Sequence, residues 1–174
     1  MTGKNHLLFG LGAGTVLFWE YMFIQQDETF LTTMNALSVC IPALIGSVLP
    51  DIDNQKSWLG KKIKPISFVL NKIFGHRTIF HSLLLPLLVC CVMYFYYGNW
   101  NYMENIYFIS FITGYTGHLL QDVLTRGGTP LLYPFIKNNI SLTNIPYGSK
   151  KERTVTICLI IIYAFVIYKK NTFL

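Results

Sequence analysis

The sequence predicts an all-α fold, a polytopic helical bundle embedded in a membrane with about four to five crossing helices and one amphipathic helix in the interface. Three observations predict it. Of the 174 residues, 52% are hydrophobic and only 13% charged, and mean hydropathy is positive. The apolar residues are gathered into long runs, as spans of about 20 residues require. Aromatic residues make up 16% of the chain, as suits rings that anchor helices at membrane interfaces. The length fits one domain, residues 1–174.

Taken in order, the first run covers 7–24, "LLFGLGAGTVLFWEYMFI". Lys4 precedes it, and no small-residue cleavage pattern follows, so a retained helix is expected rather than a signal peptide. Runs 30–49, 78–97 and 105–124 are each long enough to cross. The last run, 154–168, is short; Lys169 and Lys170 would have to snorkel if it crossed, and its crossing stays open. Residues 57–74 mix Trp58, Ile63, Ile66, Phe68, Leu70 and Phe74 with lysines, which predicts a helix lying in the interface and broken near Pro65. Residues 127–149 open as a Gly/Pro-rich turn, "GGTPLLYPF", and continue as a polar loop.

The net charge of +6 points to the membrane surface rather than to nucleic acid. Lys4, the 50–77 connection and the 125–153 connection hold all the basic residues except Lys169 and Lys170, whereas the opposite loops, "QQDET" and "GNWNYMEN", hold none. The basic side is expected to face the cytoplasm and anionic headgroups, with the N-terminus on the cytoplasmic side. Cys40, Cys90, Cys91 and Cys158 all fall within apolar runs without CxxC spacing, which argues against a zinc knuckle or a disulfide framework.

On that topology the polar residues collect at one leaflet. His6 opens the first helix; Asp51 and Asp53, in "LPDID", follow the second; His76 and His81, in "GHRTIFHS", precede the third; His118 and Asp122, in "GHLLQDVLTRGG", end the fourth. Separately these features are unremarkable: a terminal histidine sits at an interface, LPDID stops a helix, and HxxxD matches often by chance. Together they point to a metal site. His118 and Asp122 at i,i+4 share one helix face and can serve one ion. His76 and His81 are five apart and meet only if His76 lies in the entering turn. An acid within a span costs about 2.5–3.5 kcal/mol on insertion scales, so an unpaired Asp122 needs a role. Imidazole and carboxylate without thiolate suit Zn²⁺ first, with Mn²⁺, Fe²⁺ or Mg²⁺ as alternatives.

These pieces, in this order, resemble the YdjM family, bacterial inner-membrane proteins described as LexA-binding, metal-dependent hydrolases. The matching segments are His6 with its Gly-rich helix, "LPDID" (49–53), "HRTIFHS" (76–82), "GHLLQDVLTRGG" (117–128), "LLYPF" (131–135) and, more weakly, "GSKKE" (148–152). Ile79 and Phe80 depart from the smaller residues expected before the second histidine. The resemblance implies a hydrolase but no substrate. By analogy, the donor set is also similar to that of zinc-dependent phospholipase C and P1-type nucleases.

The expectation is therefore a phosphoesterase acting on a lipid or lipid-linked phosphate at the cytoplasmic face. His6, Asp51, His81, His118 and Asp122 would be metal ligands. Asp53 and His76 would complete a second metal or act as base, and Arg77 would hold phosphate oxygens. The rival classes are a divalent-cation or proton transporter and a scaffold recruiting a soluble protein partner to the cytoplasmic loops. Transport is disfavoured because the outer halves of the second to fourth runs are almost wholly apolar, with Glu20 the exception in the first. Glu20 and Glu152 are left without a role.

Overall fold

The computed structural model describes residues 1–25, 33–75, 77–97 and 105–172. The chain folds as helices in the order α1 (Gly3–Gln25), α2 (Thr33–Val48), a 3-10 turn (Leu49–Asp53), α3 (Trp58–Lys62), α4 (Lys64–Phe74), a second 3-10 turn (Ile79–His81), α5 (Leu84–Tyr97), α6 (Ile106–Val123) and α7 (Lys150–Thr172). This is an all-α helical membrane protein. Among the described residues, three stretches are long and apolar enough to cross a membrane: Gly3–Ile24, Ala36–Asp53 and Lys150–Thr172.

The third, fourth and fifth apolar runs differ from expectation: the fourth becomes α6, whose 18 residues include His118, Gln121 and Asp122 and fall outside the three stretches apolar enough to cross. The helix expected from residue 78 begins only at Leu84, because His81 N–H donates to the Thr78 carbonyl and Ser82 N–H to that of Ile79, closing a tight turn instead. That leaves α5 with 14 residues, about 21 Å of rise. The run 154–168 is instead the middle of a 23-residue helix. Its start is written in "SKKE": Ser149 Oγ accepts from Glu152 N–H at 3.3 Å, the first half of a capping box. Polar residues through Thr172 carry its far end onward. The break foreseen near Pro65 falls at Ile63, which leaves the helical region between α3 and α4. Outside the two helices, α4 presents Ile66, Phe68, Val69 and Ile73 as exposed apolar side chains.

α6 runs through the middle of the bundle, and small residues let its neighbours come close. A Cβ on Gly46 of α2 would lie 2.1 Å from the Phe111 carbonyl oxygen, and one on Gly114 of α6 would lie 2.0 Å from that of Ala43. Two backbones in contact there gain dispersion and short hydrogen bonds rather than hydrophobic burial, as membrane helices do. Ser110 Oγ donates to the Val39 carbonyl at 2.5 Å across the same seam. On the other side of α6, the Phe9 ring of α1 fills the space over Gly117. Leu17, Val39 and Ile106 form a small core toward the far end, with Phe18 and Tyr163 packed on it.

The loop after α6 doubles back over the carbonyls that helix leaves unpaired. Leu142 N–H donates to the Val123 carbonyl at 2.8 Å, and Thr143 Oγ1 to that of Leu124 at 2.7 Å. A single antiparallel bridge, Thr129 to Ile140, ties the loop to itself. This roof and the two 3-10 turns enclose one end of α1, α2 and α6.

Candidate metal centre

α6 supplies the axis of the site. His118 Nε2 and Asp122 Oδ2 lie 3.7 Å apart on one face, as i,i+4 spacing requires. His118 cannot turn freely: its Nδ1 bonds the Ser47 carbonyl at 2.7 Å, which fixes Nδ1 as the protonated nitrogen and presents Nε2 as a lone pair. The close approach of α2 at Gly46 and Gly114 makes that bond possible. α1 brings in His6, whose ring stacks on His118 with centroids 3.7 Å apart and whose Nε2 is 3.6 Å from Asp122 Oδ1.

His6 owes its position to Glu152. That carboxylate, at the start of α7, accepts from Asn5 Nδ2 at 2.7 Å, from Gly148 N–H at 2.5 Å and from Thr2 N–H. The opening turn of α1 is thereby pinned from two sides. The Met1 α-amine bonds Asp122 Oδ1, and Thr156 Oγ1 lies 3.5 Å from the Met1 sulfur.

The 3-10 turns deliver the rest. Pro50 breaks α2, and the tight turn that follows aims Asp51 and Asp53 inward. His81, in the second turn, places Nε2 at 3.6 Å from Asp51 Oδ1 and 3.8 Å from Asp122 Oδ2. Its other nitrogen, Nδ1, faces Asp53 Oδ2 at 3.6 Å. Asp53 also accepts from Arg77 N–H at 2.9 Å. Arg77 adopts a positive φ of 55°, a costly conformation for a side chain of this size. Its guanidinium reaches Tyr147 Oη at 2.5 Å and lies 3.8 Å from Asp122 Oδ2.

Burial is nearly total for His6, His81, His118, Asp53 and Asp122, whereas Asp51 and Arg77 keep 18% and 22% of their side chains exposed. Access to the centre is therefore past Asp51 and Arg77. Burial pushes the His81 imidazole down, but the carboxylates of Asp51, Asp53 and Asp122 outweigh it and lift its pKa to about 9. Arg77 loses some basicity to burial and regains more from Tyr147 and Asp122, so its pKa ends above its ordinary value.

Two overlapping groups can hold a cation: His6, His118 and Asp122, and Asp51, His81 and His118, each with its ligand atoms within 4.8 Å of one another. The donor atoms fit an ion better than they fit each other. Separations of 3.6–3.8 Å are too long for hydrogen bonds. They approach the separation of about 3.4 Å between two atoms each about 2.1 Å from a tetrahedral centre. Among the described residues, both His6 ring nitrogens and His118 Nε2 are buried without a hydrogen-bond partner, a cost that a bound cation would relieve.

The structure thus brings together His6, Asp51, His81, His118, Asp122 and Arg77. Asp53, read from sequence as a ligand or base, instead faces the other edge of the His81 ring and the backbone of Arg77. His76 lies outside the described residues. Sequence reasoning missed Gln121, fully buried with neither amide atom hydrogen-bonded among the described residues, although its place three residues after His118 was a usable signal. It also missed Tyr147 as the partner of Arg77, which lies 70 residues away. Glu152 could have been suspected from the capping-box spacing, but not its grip on α1.

The family of YdjM inner membrane proteins matches residues 1–173. The inner membrane protein YdjM of Escherichia coli is 33% identical over 138 residues, and that of Shigella flexneri matches equally. Each alignment covers 77% of this chain and 66% of the relative, so the chain spans just under two thirds of their length. An uncharacterized Bacillus subtilis protein, YvsG, is 31% identical over 77% of this chain and 74% of its own length. No solved structure matches. The chain belongs to the YdjM family of inner membrane proteins.

Proposed function

We propose that the chain is a multi-pass, metal-dependent phosphoesterase acting on a lipid or lipid-linked phosphate at the cytoplasmic face, with its N-terminus in the cytoplasm. The observation that carries this reading is the cluster of three imidazoles and two carboxylates at near-ligand separations, with the His6 ring nitrogens and His118 Nε2 buried without a hydrogen-bond partner among the described residues, opening past an arginine. Zinc suits the nitrogen-rich set best, and two ions sharing the cluster would bring in Mn²⁺ or Mg²⁺ as alternatives. A divalent cation held there would supply a water of lowered pKa and polarise a phosphoryl oxygen.

The protein's own groups do the remaining work. Arg77, steadied by Tyr147, meets phosphate oxygens at the mouth with a fork that matches them. Asp53 faces the His81 ring from behind, where its charge favours the orientation of a ligating imidazole. Asp51, partly open to solvent, would complete the donor set beside His81 at the side where water enters past Arg77. The orientation follows from the basic residues: Lys61, Lys62, Lys150 and Arg153 lie at the same end as the site.

The test is hydrolysis of phosphatidic acid and of a panel of soluble phosphomonoesters, read as phosphate release, and of phosphodiesters, read as the alcohol released, in mixed micelles with Zn²⁺ or Mn²⁺. The reading expects metal-dependent turnover that His118→Ala abolishes. It also expects Arg77→Gln to lower turnover while leaving metal binding intact. A metal-loaded protein that cleaves none of these esters overturns it.

A further inference from the structure

Beside the candidate metal centre, and separated from it by the first turn of α1, is a crevice of about 910 Å³. This lies within the size range of small-ligand sites, about 300–1,000 Å³. Its walls come from the starts of α1 and α7, from α3 and from the turn before α7, and they carry Lys4, Lys61, Lys62, Lys150 and Arg153. No acidic residue lines it, and among the described residues none of the five cations forms an ion pair. The carboxylate of Glu152, which bonds the lining residues Thr2, Asn5 and Gly148, is fully buried and spent on them. Trp58 forms one side, with Lys62 Nζ held 4.1 Å above its ring.

Five like charges gathered around one hollow repel each other, and an anion in the hollow reverses the sign of that energy. α1 and α7 also open into it with the positive ends of their dipoles, which adds to the potential. A purely solvated basic face would spread these cations over a convex surface; here three segments distant in sequence fold them around a concavity containing an indole. The pattern matches the basic pockets that bind phosphorylated headgroups near the cytoplasmic ends of membrane helices.

We propose that this crevice is a binding site for a phosphate-bearing anion, distinct from the candidate metal centre and sharing with it only the wall formed by Asn5 and Thr2. The ligand chemistry is a phosphate group chelated by Lys61, Lys62, Lys150 and Arg153, with Trp58 against its apolar or glycerol portion. The site needs no metal and does not depend on hydrolysis.

The experiment uses full-length protein in a neutral detergent with EDTA, so that a metal centre contributes no phosphate affinity. Dihexanoyl phosphatidylglycerol, dihexanoyl phosphatidylcholine and pyrophosphate are titrated separately, and binding is read by calorimetry. Two crevice variants, Lys61→Gln/Lys62→Gln and Lys150→Gln/Arg153→Gln, are set beside a control with the same charge removed elsewhere, Lys56→Gln/Lys72→Gln. The expected result is anion binding at least about tenfold tighter than phosphatidylcholine, weakened about tenfold or more in both crevice variants and within about threefold of wild type in the control. Preference for the lipid assigns a headgroup, and preference for pyrophosphate assigns a soluble phosphate. If a double variant fails to fold, Lys61→Gln and Arg153→Gln singly carry the comparison. Equal losses in control and crevice variants, or no preference for either anion over phosphatidylcholine, overturn the proposal.

Discussion

His118 and Asp122 confront one another across a single turn of α6, 3.7 Å from Nε2 to Oδ2, while the opposite nitrogen of His118 is tied to the Ser47 carbonyl of α2. One helix thus offers two donors on one face, and its neighbour sets the tautomer that makes the histidine a donor.

That arrangement depends on how closely α2 and α6 approach. Gly114→Ala would drive a methyl to 2.0 Å from the Ala43 carbonyl oxygen, a backbone atom that cannot swing aside. Separation of the helices lengthens the Ser47–His118 bond. The expected outcome is a loss of about 2 kcal/mol, measured as a lower melting temperature in detergent, with weaker metal binding alongside.

Glu152 is expected to act on the site from a distance. Glu152→Ala leaves Thr2 N–H, Asn5 Nδ2 and Gly148 N–H without their shared acceptor, at about 1–3 kcal/mol for buried groups left unpaired. The loosened start of α1 carries His6 with it. Metal affinity should fall by about 10–100-fold in a competition titration against a chelating dye, with Glu152→Gln losing less because it keeps one acceptor oxygen.

Asp53 and Arg77 should separate binding from turnover. Asp53→Asn keeps an oxygen for Arg77 N–H but removes the charge facing His81 Nδ1, so metal affinity drops by about 10–100-fold. Arg77→Gln removes only the group at the mouth, and its metal content should match wild type while phosphoester turnover falls.

A pH dependence follows from His81. In the metal-free protein its pKa, raised from 6.5 to about 9, means the imidazolium stabilises the fold fully below about pH 6.5, and that contribution is lost as pH rises through about 9. A metal needs the neutral ring, so binding near pH 7 must expel a proton. Apparent metal affinity should rise about tenfold per pH unit and level off near pH 9. Asp51→Asn should move that plateau to lower pH. Calorimetry in buffers of different ionisation enthalpy reads the released proton directly.

What the sequence made legible were the features governed by local period. HxxxD on a helix, the proline-stopped LPDID turn, the histidines of "GHRTIFHS" and the one-sided spread of basic residues each follow from spacing alone, and together they put His118, Asp122, Asp51 and His81 at one leaflet. Features set by contacts between distant segments were not legible. Nothing in residues 78–83 distinguishes a helix start from the 3-10 turn that holds His81, because the choice depends on Thr129 Oγ1 and Tyr115 Oη taking the carbonyls of His81 and Phe80. The length of α7 was hidden by its polar ends, which a hydropathy window discounts but a helix tolerates. Asp53 could not be distinguished from Asp51 by position, since only the fold decides which edge of the His81 ring each one meets.

The central claim is that these side chains gather around a divalent cation. Elemental mass spectrometry on detergent-purified protein, wild type beside His118→Ala/Asp122→Ala, tests it most directly. The account predicts one or two equivalents of zinc or manganese in the wild type and none in the variant. Wild-type protein that stays metal-free after reconstitution with zinc, manganese, iron and magnesium would contradict it.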